Sequence, residues 1–269
     1  MCWSPWPRVW ARGCCATPLR FSRNRGPMNQ PKETTMTTIT ITDNSLAKLQ
    51  TWLSPSFPVG AFAFSHGLEY AVETGDVDDC ESLTRYVEGI VSFGAGRVDV
   101  SLFRAAFKAV QDDDTERLAR VVERADAQRG SNEMALESAA QGRAFIETLI
   151  KVWPQPRLLD WRDELAQAGR EPAYAVSIGV ACAVAGMGLR PCLVAYLNAF
   201  ASNLISAVVR LVPLGQTDGQ RAVLALEGTI VAAANAALMR DVDDLGGAAL
   251  TVDLMSMQHE TQYTRLFRS

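Results

Sequence analysis

The sequence lacks most of the side chains and motifs by which active sites are usually recognised. Among 269 residues there are only two histidines, His66 and His259. There is no Gly-Lys-Ser/Thr phosphate loop, no glycine-rich dinucleotide fingerprint after a strand and no His-Glu-x-x-His zinc motif. By elimination, the residues predict a binding or scaffolding protein and not an enzyme.

An excess of basic residues and a regular cysteine pattern are also missing. The formal net charge is −4, which excludes the basic face or stripe typical of nucleic-acid-binding proteins. The six cysteines form no Cys-x-x-Cys pair and no regular spacing, so neither a disulfide framework nor a cysteine zinc site is predicted. Cys182 and Cys192 lie in apolar segments, and we expect them to be small buried hydrophobes in a reducing cytosol.

Strand-like alternation is nearly absent, because only residues 37–42 alternate Thr and Ile. The rest of the chain places apolar residues at helical spacing. It therefore predicts an all-α fold, a single helical domain of about ten helices. The last long helix, 221–239, is expected to turn one apolar face inward, made of Leu224, Ala225, Gly228, Val231 and Ala232.

Two central segments, 173–189 and 191–209, contain no charged residue and are separated only by Arg190. Each is long enough to cross a bilayer, so a membrane hairpin is the alternative to a buried core. Their Ala, Gly and Ser content, together with Asn198 and Asn203, disfavours insertion. We therefore predict a charge-free central antiparallel helix pair in the core and no membrane span.

Several groups offer chemistry but have simpler interpretations. The acidic run Asp112–Asp114 is placed to start a helix, where carboxylates are favoured, although it could also suggest a metal. His66 and Glu69 have the spacing of a hydrogen bond on a helix surface, with chelation as the alternative. Met255–His259 offers ligands that a copper or nickel relay would use, but the site would be incomplete. Arg210 and Arg240 could act as arginine fingers to a GTPase, although a salt bridge is the default role.

The two ends of the chain differ from the middle. Residues 1–35 are rich in Arg, Trp and Pro, and we expect a disordered extension or a start assigned too far upstream. Residues 36–245 form the predicted helical domain. Residues 246–269 form a C-terminal tail that we expect to be flexible in the free protein and to dock on a partner through exposed Leu266 and Phe267.

Three stretches of this sequence resemble the urease accessory protein UreF family. The first stretch, residues 56–69, reads SFPVGAFAFSHGLE. The second stretch, residues 203–220, contains NLISA, RLVPLGQ and a final Gly-Gln. The third stretch, residues 256–269, reads SMQHETQYTRLFRS. Their order and spacing are similar to those of the family over nearly all of the chain from about Leu46 to Ser269.

The resemblance implies an all-α cytoplasmic chaperone, a homodimer that binds the GTPase UreG, the partner UreD (also called UreH) and apo-urease. The assembly would incorporate nickel into the apo-urease metallocentre, while this chain would carry no catalytic residue, no cofactor and no stable metal site. The alternative is a GTPase-activating regulator that supplies a side chain to UreG. The residues implied to bind partners are Phe57, Pro58, Gly60, Glu69, Arg210, Gly215, Gln216, Gln220, His259, Glu260, Arg265, Leu266, Phe267 and Arg268.

Overall fold

Four of the described helices begin after a residue whose side chain caps them, namely Thr42, Asp79, Asp114 and Ser131. The computed structural model describes residues 42–240 and 243–269. Within these ranges the secondary structure is helical, with no strand, which confirms the all-α prediction. The helices are, in chain order, α1 (Asp43–Trp52), α2 (Leu68–Glu73), α3 (Cys80–Phe93), α4 (Ala95–Gln111), α5 (Thr115–Ala127), α6 (Asn132–Val152), α7 (Pro156–Gln167), α8 (Tyr174–Val184), α9 (Leu189–Val208), α10 (Gln216–Met239) and α11 (Leu250–His259).

A single turn of 3₁₀ helix, Ala61–Ala63, lies between α1 and α2. The N-terminal extension, residues 1–35, and the alternating residues 37–41 lie outside the described residues. Thr42, the last residue of that alternation, is the N-cap of α1.

The acidic run is a helix start, as the sequence predicts. The Asp114 side chain accepts a hydrogen bond from the main-chain N–H of Arg117 at 2.8 Å and caps α5. Asp112 and Asp113 form ion pairs with Arg117 and Arg157. The carboxylates are therefore explained by capping and surface ion pairs.

Helix α4 is the centre of the packing, and most of its residues are buried. It packs most extensively against α8, and also against α3, α5, α9 and α10. Helices α4 and α8 come close to each other because α8 has a glycine, Gly179, at the contact. A Cβ added at Gly179 of α8 would lie 2.6 Å from the main-chain oxygen of Phe103 in α4, so no larger residue fits there without a shift.

The two charge-free segments are helices α8 and α9, and both contribute to the core. They contact each other only slightly, because α8 packs on α4 and α6, whereas α9 packs mainly on α10 and α4. The close antiparallel pairing of the two helices is therefore not confirmed. An apolar surface on all sides identifies a buried helix but does not specify its neighbour.

Cys182 and Cys192 are buried free thiols, as predicted. Burial raises the pKa of the Cys182 thiol well above its ordinary value, and the neighbouring Cys192 adds to the shift. Both behave as small core residues.

Helices α9 and α10 are long and apolar enough to cross a membrane by length and composition alone. This is weak support for a membrane span, because core helices pass the same test. Helix α8 is shorter, at 11 residues. The packing of α9 against α2, α3, α4, α8 and α10 matches a core role.

The predicted inner face of α10 is wrong. Leu224 is 64% exposed, and Gly228 and Val231 also face outward. The buried residues lie on another face of the helix, at Gly219, Ala222, Leu226, Ile230, Ala234 and Ala237. Helix α10 is apolar on both faces, so periodicity alone selects the wrong one.

The C-terminal tail, residues 246–269, is folded back on the domain. Helix α11 packs against α2, α3 and α6. The terminal segment that follows, residues 260–269, reaches the 3₁₀ turn, where the Arg268 N–H donates to the Ala63 oxygen at 2.8 Å. Phe267 is buried, so the prediction that this ring is exposed is wrong.

Candidate functional site

The chain before α2 adopts a backbone conformation that few residues allow. His66 and Gly67 both have positive φ, at 53° and 74°. A positive φ is uncommon for any residue with a side chain and often marks a functional constraint. A Cβ at Gly67 would also lie 2.6 Å from the main-chain nitrogen of Ser256 in α11. The absence of a side chain at Gly67 in the first stretch therefore allows the backbone of the third stretch, at Ser256, to pack directly against it.

Glu69 binds the main chain of the terminal segment. Its two carboxylate oxygens accept hydrogen bonds from the N–H groups of Leu266 at 2.6 Å and Phe267 at 2.8 Å. The main-chain oxygen of Ser269 accepts from the Ser65 N–H at 2.7 Å and also from the Ser65 hydroxyl. The first stretch therefore holds the third stretch through hydrogen bonds to the main chain of the third. These bonds fix the path of the backbone of the terminal segment.

The two histidines lie in the same cluster. The ring nitrogens of His259 lie 2.7 Å from an oxygen of Glu133 and 3.1 Å from an oxygen of Glu69. The Nε2 of His66 lies 3.1 Å from a carboxylate oxygen of Glu137. His259 is fully buried and His66 nearly so.

Glu137 connects His66 to the terminal segment. Its oxygens accept hydrogen bonds from the Gln141 amide at 2.8 Å and from the Ser269 hydroxyl at 3.0 Å. Burial by itself lowers the pKa of His66, but attraction and hydrogen bonding to Glu137, with a further contribution from Asp99, outweigh it. The pKa of His66 is therefore raised.

The second stretch contacts both of the others through Arg210. Its guanidinium lies 4.6 Å above the ring of Phe267 and donates to the main-chain oxygen of Phe62 at 2.9 Å. The Asn203 amide donates to the Ala61 oxygen at 3.0 Å. The three stretches, separated widely in sequence, therefore meet at one place, which we call the composite surface.

An apolar groove adjoins the composite surface. It has a volume of about 790 Å³ and is lined by residues of α1, α6, α9 and the first stretch, including Phe62. Phe62 itself is 66% exposed. An exposed aromatic side chain beside arginines and an apolar groove is the usual composition of a protein-binding anchor.

The sequence-predicted site residues fall into three groups. Phe57, Glu69, His259 and Phe267 are buried and hold the site together. Pro58, Arg210, Arg265, Leu266 and Arg268 are exposed, and Gly60 and Glu260 lie at its edge. Gly215, Gln216 and Gln220 lie at the start of α10. Partner binding by these residues stays a prediction.

The predicted hydrogen bond between His66 and Glu69 on a helix surface is wrong. His66 precedes α2, and its partner is Glu137 on α6, 71 residues away. Sequence reasoning missed Glu133 and Glu137 because no local pattern marks a partner so distant. Phe62 was missed because its neighbours Ala61, Ala63 and Phe64 are apolar as well, so the sequence does not mark it as an exposed residue.

Metal ligation finds no support in the part of the chain that the structure describes. It holds no group of three or more His, Cys, Asp or Glu side chains arranged to hold a metal ion. Both ring nitrogens of His259, the one histidine in the Met255–His259 run, already face carboxylates. The side chains around the tail are thus arranged to bind each other and the backbone.

These features define an all-α protein whose distinctive residues build a composite surface. A family model described as UreF matches residues 77–227, more than half of the chain. The chain is 47% identical over 225 residues to a urease accessory protein UreF of Rhodopseudomonas palustris (strain BisA53), covering 84% of this chain and 93% of that relative.

A urease accessory protein UreF of Bradyrhizobium diazoefficiens is 44% identical over 226 residues, covering 84% of this chain and 92% of the relative. The chain therefore belongs to the urease accessory protein UreF family.

Proposed function

We propose that this protein is a chaperone for urease maturation, which supports the incorporation of nickel into the apo-urease metallocentre. It does so in a cytoplasmic complex with the GTPase UreG and with UreD/UreH, as a homodimer without a cofactor of its own. Nickel is the cargo of the assembled complex. Membership of the UreF family supports the accessory role.

The observation that carries the proposal is the convergence of the three stretches on the composite surface. Stretches that identify the family could be distributed over the molecule, but here they contact one another through Arg210, Glu69 and the terminal segment. The Phe62 ring is 66% exposed beside Arg210, whose guanidinium donates to the Phe62 main-chain oxygen. We assign the surface to UreD/UreH, because aromatic and arginine side chains at a groove are typical anchors of protein interfaces.

Reconstitution tests the accessory role. Apo-urease, UreG, UreD/UreH, GTP and nickel are incubated with and without this chain, and urease activity and urease-bound nickel are measured. We expect both to require the chain. Equal activation without it would contradict the proposal.

Activation of UreG by a residue of this chain is the competing function. The Arg210 guanidinium is already engaged by the oxygens of Phe62 and Ser206 and by the ring of Phe267, which disfavours its release as an arginine finger. True activation in trans raises GTPase turnover by about 10³ to 10⁵. A change in UreG turnover of that size, abolished by Arg210→Ala, would favour the regulator.

A further inference from the structure

The 3₁₀ turn that carries Phe62 is held by contacts from distant parts of the chain. Within the turn, the Phe64 N–H donates to the Ala61 oxygen at 3.2 Å. Each of the three main-chain oxygens of the turn also accepts a hydrogen bond from the second or third stretch, Ala61 from Asn203 at 3.0 Å, Phe62 from Arg210 at 2.9 Å and Ala63 from Arg268 at 2.8 Å. A short 3₁₀ turn has poor hydrogen-bond geometry by itself. These outside donors therefore fix the path of its backbone.

The fixed backbone turns one aromatic side chain outward. Phe62 is 66% exposed, whereas Ala61 and Ala63 on either side are half-buried and Phe64 is buried. A main chain that is already ordered in the free protein loses little conformational entropy when a partner binds, which strengthens binding. Phe62 is therefore a preorganised anchor.

Asn203 differs from the other two donors because its side chain has no second contact of this kind. The Arg210 guanidinium also lies over the Phe267 ring, and the Arg268 donor is a main-chain N–H. In the part of the chain that the structure describes, the hydrogen bond to Ala61 is the one that the Asn203 side chain makes. The position of this half-buried amide on an otherwise apolar helix is consequently explained by its contact with the turn.

We propose that Asn203 is a positioning residue for partner binding, which holds the 3₁₀ turn so that the Phe62 ring is presented to UreD/UreH. The inference rests on the proposed function of the composite surface. Asn203 acts through the Ala61 oxygen and not through a contact of its own with the partner. When the amide donor is lost, the turn samples other conformations, and the affinity falls with the fraction of molecules that present the ring correctly.

Substitutions of Asn203 test the role of the amide donor. Asn203→Asp keeps the shape of the side chain but removes the donor, and Asn203→Ala removes the donor without adding charge. For both variants we expect the Kd for UreD/UreH, measured by titration calorimetry with the full chain, to increase about threefold to tenfold, the size of one hydrogen bond. Wild-type affinity in both variants would overturn the proposal.

Asn235→Asp is the matched control. It makes the same chemical change at an exposed position of α10, and it keeps the oxygen that accepts a hydrogen bond from Arg190 at 2.9 Å. We expect its affinity for UreD/UreH to equal that of the wild type. A loss as large as that of Asn203→Asp would assign the effect to added charge and count against the positioning role.

Hydrogen exchange in the free protein measures the turn without a partner. The Ala63 and Phe64 amides, which donate within the turn, should exchange at least threefold faster in Asn203→Ala, about the effect of one lost hydrogen bond. The amides in the buried middle of α4 should exchange at the wild-type rate. Unchanged exchange at both turn amides would overturn the proposal, and equal acceleration in α4 would show a general loss of stability in its place.

A double-mutant cycle shows whether Asn203 acts through Phe62. The Kd for UreD/UreH is measured for the wild type, Asn203→Ala, Phe62→Ala and the double variant. We expect Asn203→Ala to weaken binding in the wild type and to have no further effect once the Phe62 ring is absent. The same fold loss in both backgrounds would overturn the positioning role alone. Wild-type affinity of Phe62→Ala would instead contradict the assignment of the composite surface to this partner, and the positioning role with it.

Discussion

Glu69 accepts the main-chain N–H of Phe267 at 2.8 Å, across 198 residues of sequence. This bond joins the first stretch to the last residues of the chain. It also seats the Phe267 ring beneath the Arg210 guanidinium, so one buried carboxylate positions side chains from all three stretches. The composite surface consequently depends on a residue that is itself hidden from any partner.

Glu69→Ala should undock the terminal segment. The change removes the acceptor of two main-chain N–H groups and the carboxylate that faces Nε2 of His259, at a cost of about 1 to 3 kcal/mol in the free energy of unfolding. Hydrogen exchange at Leu266 and Phe267 should accelerate, and binding to UreD/UreH should weaken. Glu147→Ala, at an exposed position of α6, is the control. Unchanged exchange at both amides would refute the assigned role of Glu69.

Gly67→Ala should destabilise the protein more than Gly75→Ala. Both glycines have positive φ, so both substitutions introduce backbone strain of roughly 1 kcal/mol or more. Only at Gly67 does the new Cβ also meet the backbone of Ser256, at 2.6 Å, whereas nothing lies within 4 Å at Gly75. Chemical denaturation measures the difference, and equal losses for the two variants would show that α2 and α11 do not pack this closely.

Ala207→Trp should disrupt the core. Ala207 of α9 is fully buried, and overpacking there costs about 1 to 3 kcal/mol or more. The neighbouring Ser206 is exposed, so Ser206→Trp serves as the matched control. Thermal melting should separate the two variants clearly, and identical melting temperatures would contradict the described orientation of α9.

Thiol labelling should distinguish the described cysteines. Cys80 is partly exposed, whereas Cys182 is buried and its thiol pKa is raised by burial. Because the thiolate is the reactive form, a maleimide at pH 7.5 should modify Cys80 well before Cys182. Peptide mass spectrometry after timed labelling measures the order, and adding denaturant should remove it.

The sequence predicts the helical class and the buried character of α8 and α9 because both depend on local composition and period. It predicts the wrong face of α10, where Leu224 and Leu226 are both apolar and only the neighbouring helices decide which one is buried. The contact of His66 with Glu137 is likewise set by the packing of α6 against the first stretch, and no pattern within either segment encodes it.

The end of the chain shows the same limit. A terminal Leu-Phe pair next to arginines is typical of an exposed anchor, and Leu266 is exposed as expected. Phe267 is buried where Glu69 accepts hydrogen bonds from its own main-chain N–H and from that of Leu266. The residue that binds the tail, Glu69, lies nearly 200 residues upstream. The local pattern at the C-terminus therefore gives no indication that the tail has a binding site within the same chain.

Co-elution with UreD/UreH tests the central claim, that the composite surface is the partner-binding site, most directly. The wild-type chain, Phe62→Ala and Phe93→Ala are each mixed with UreD/UreH and separated by size. Phe93 is the matched control, because it is 58% exposed, against 66% for Phe62, but lies at the end of α3 outside the three stretches. We predict that the wild type and Phe93→Ala co-elute with the partner and that Phe62→Ala binds at least tenfold more weakly. Equal binding by Phe62→Ala and the wild type would contradict the account.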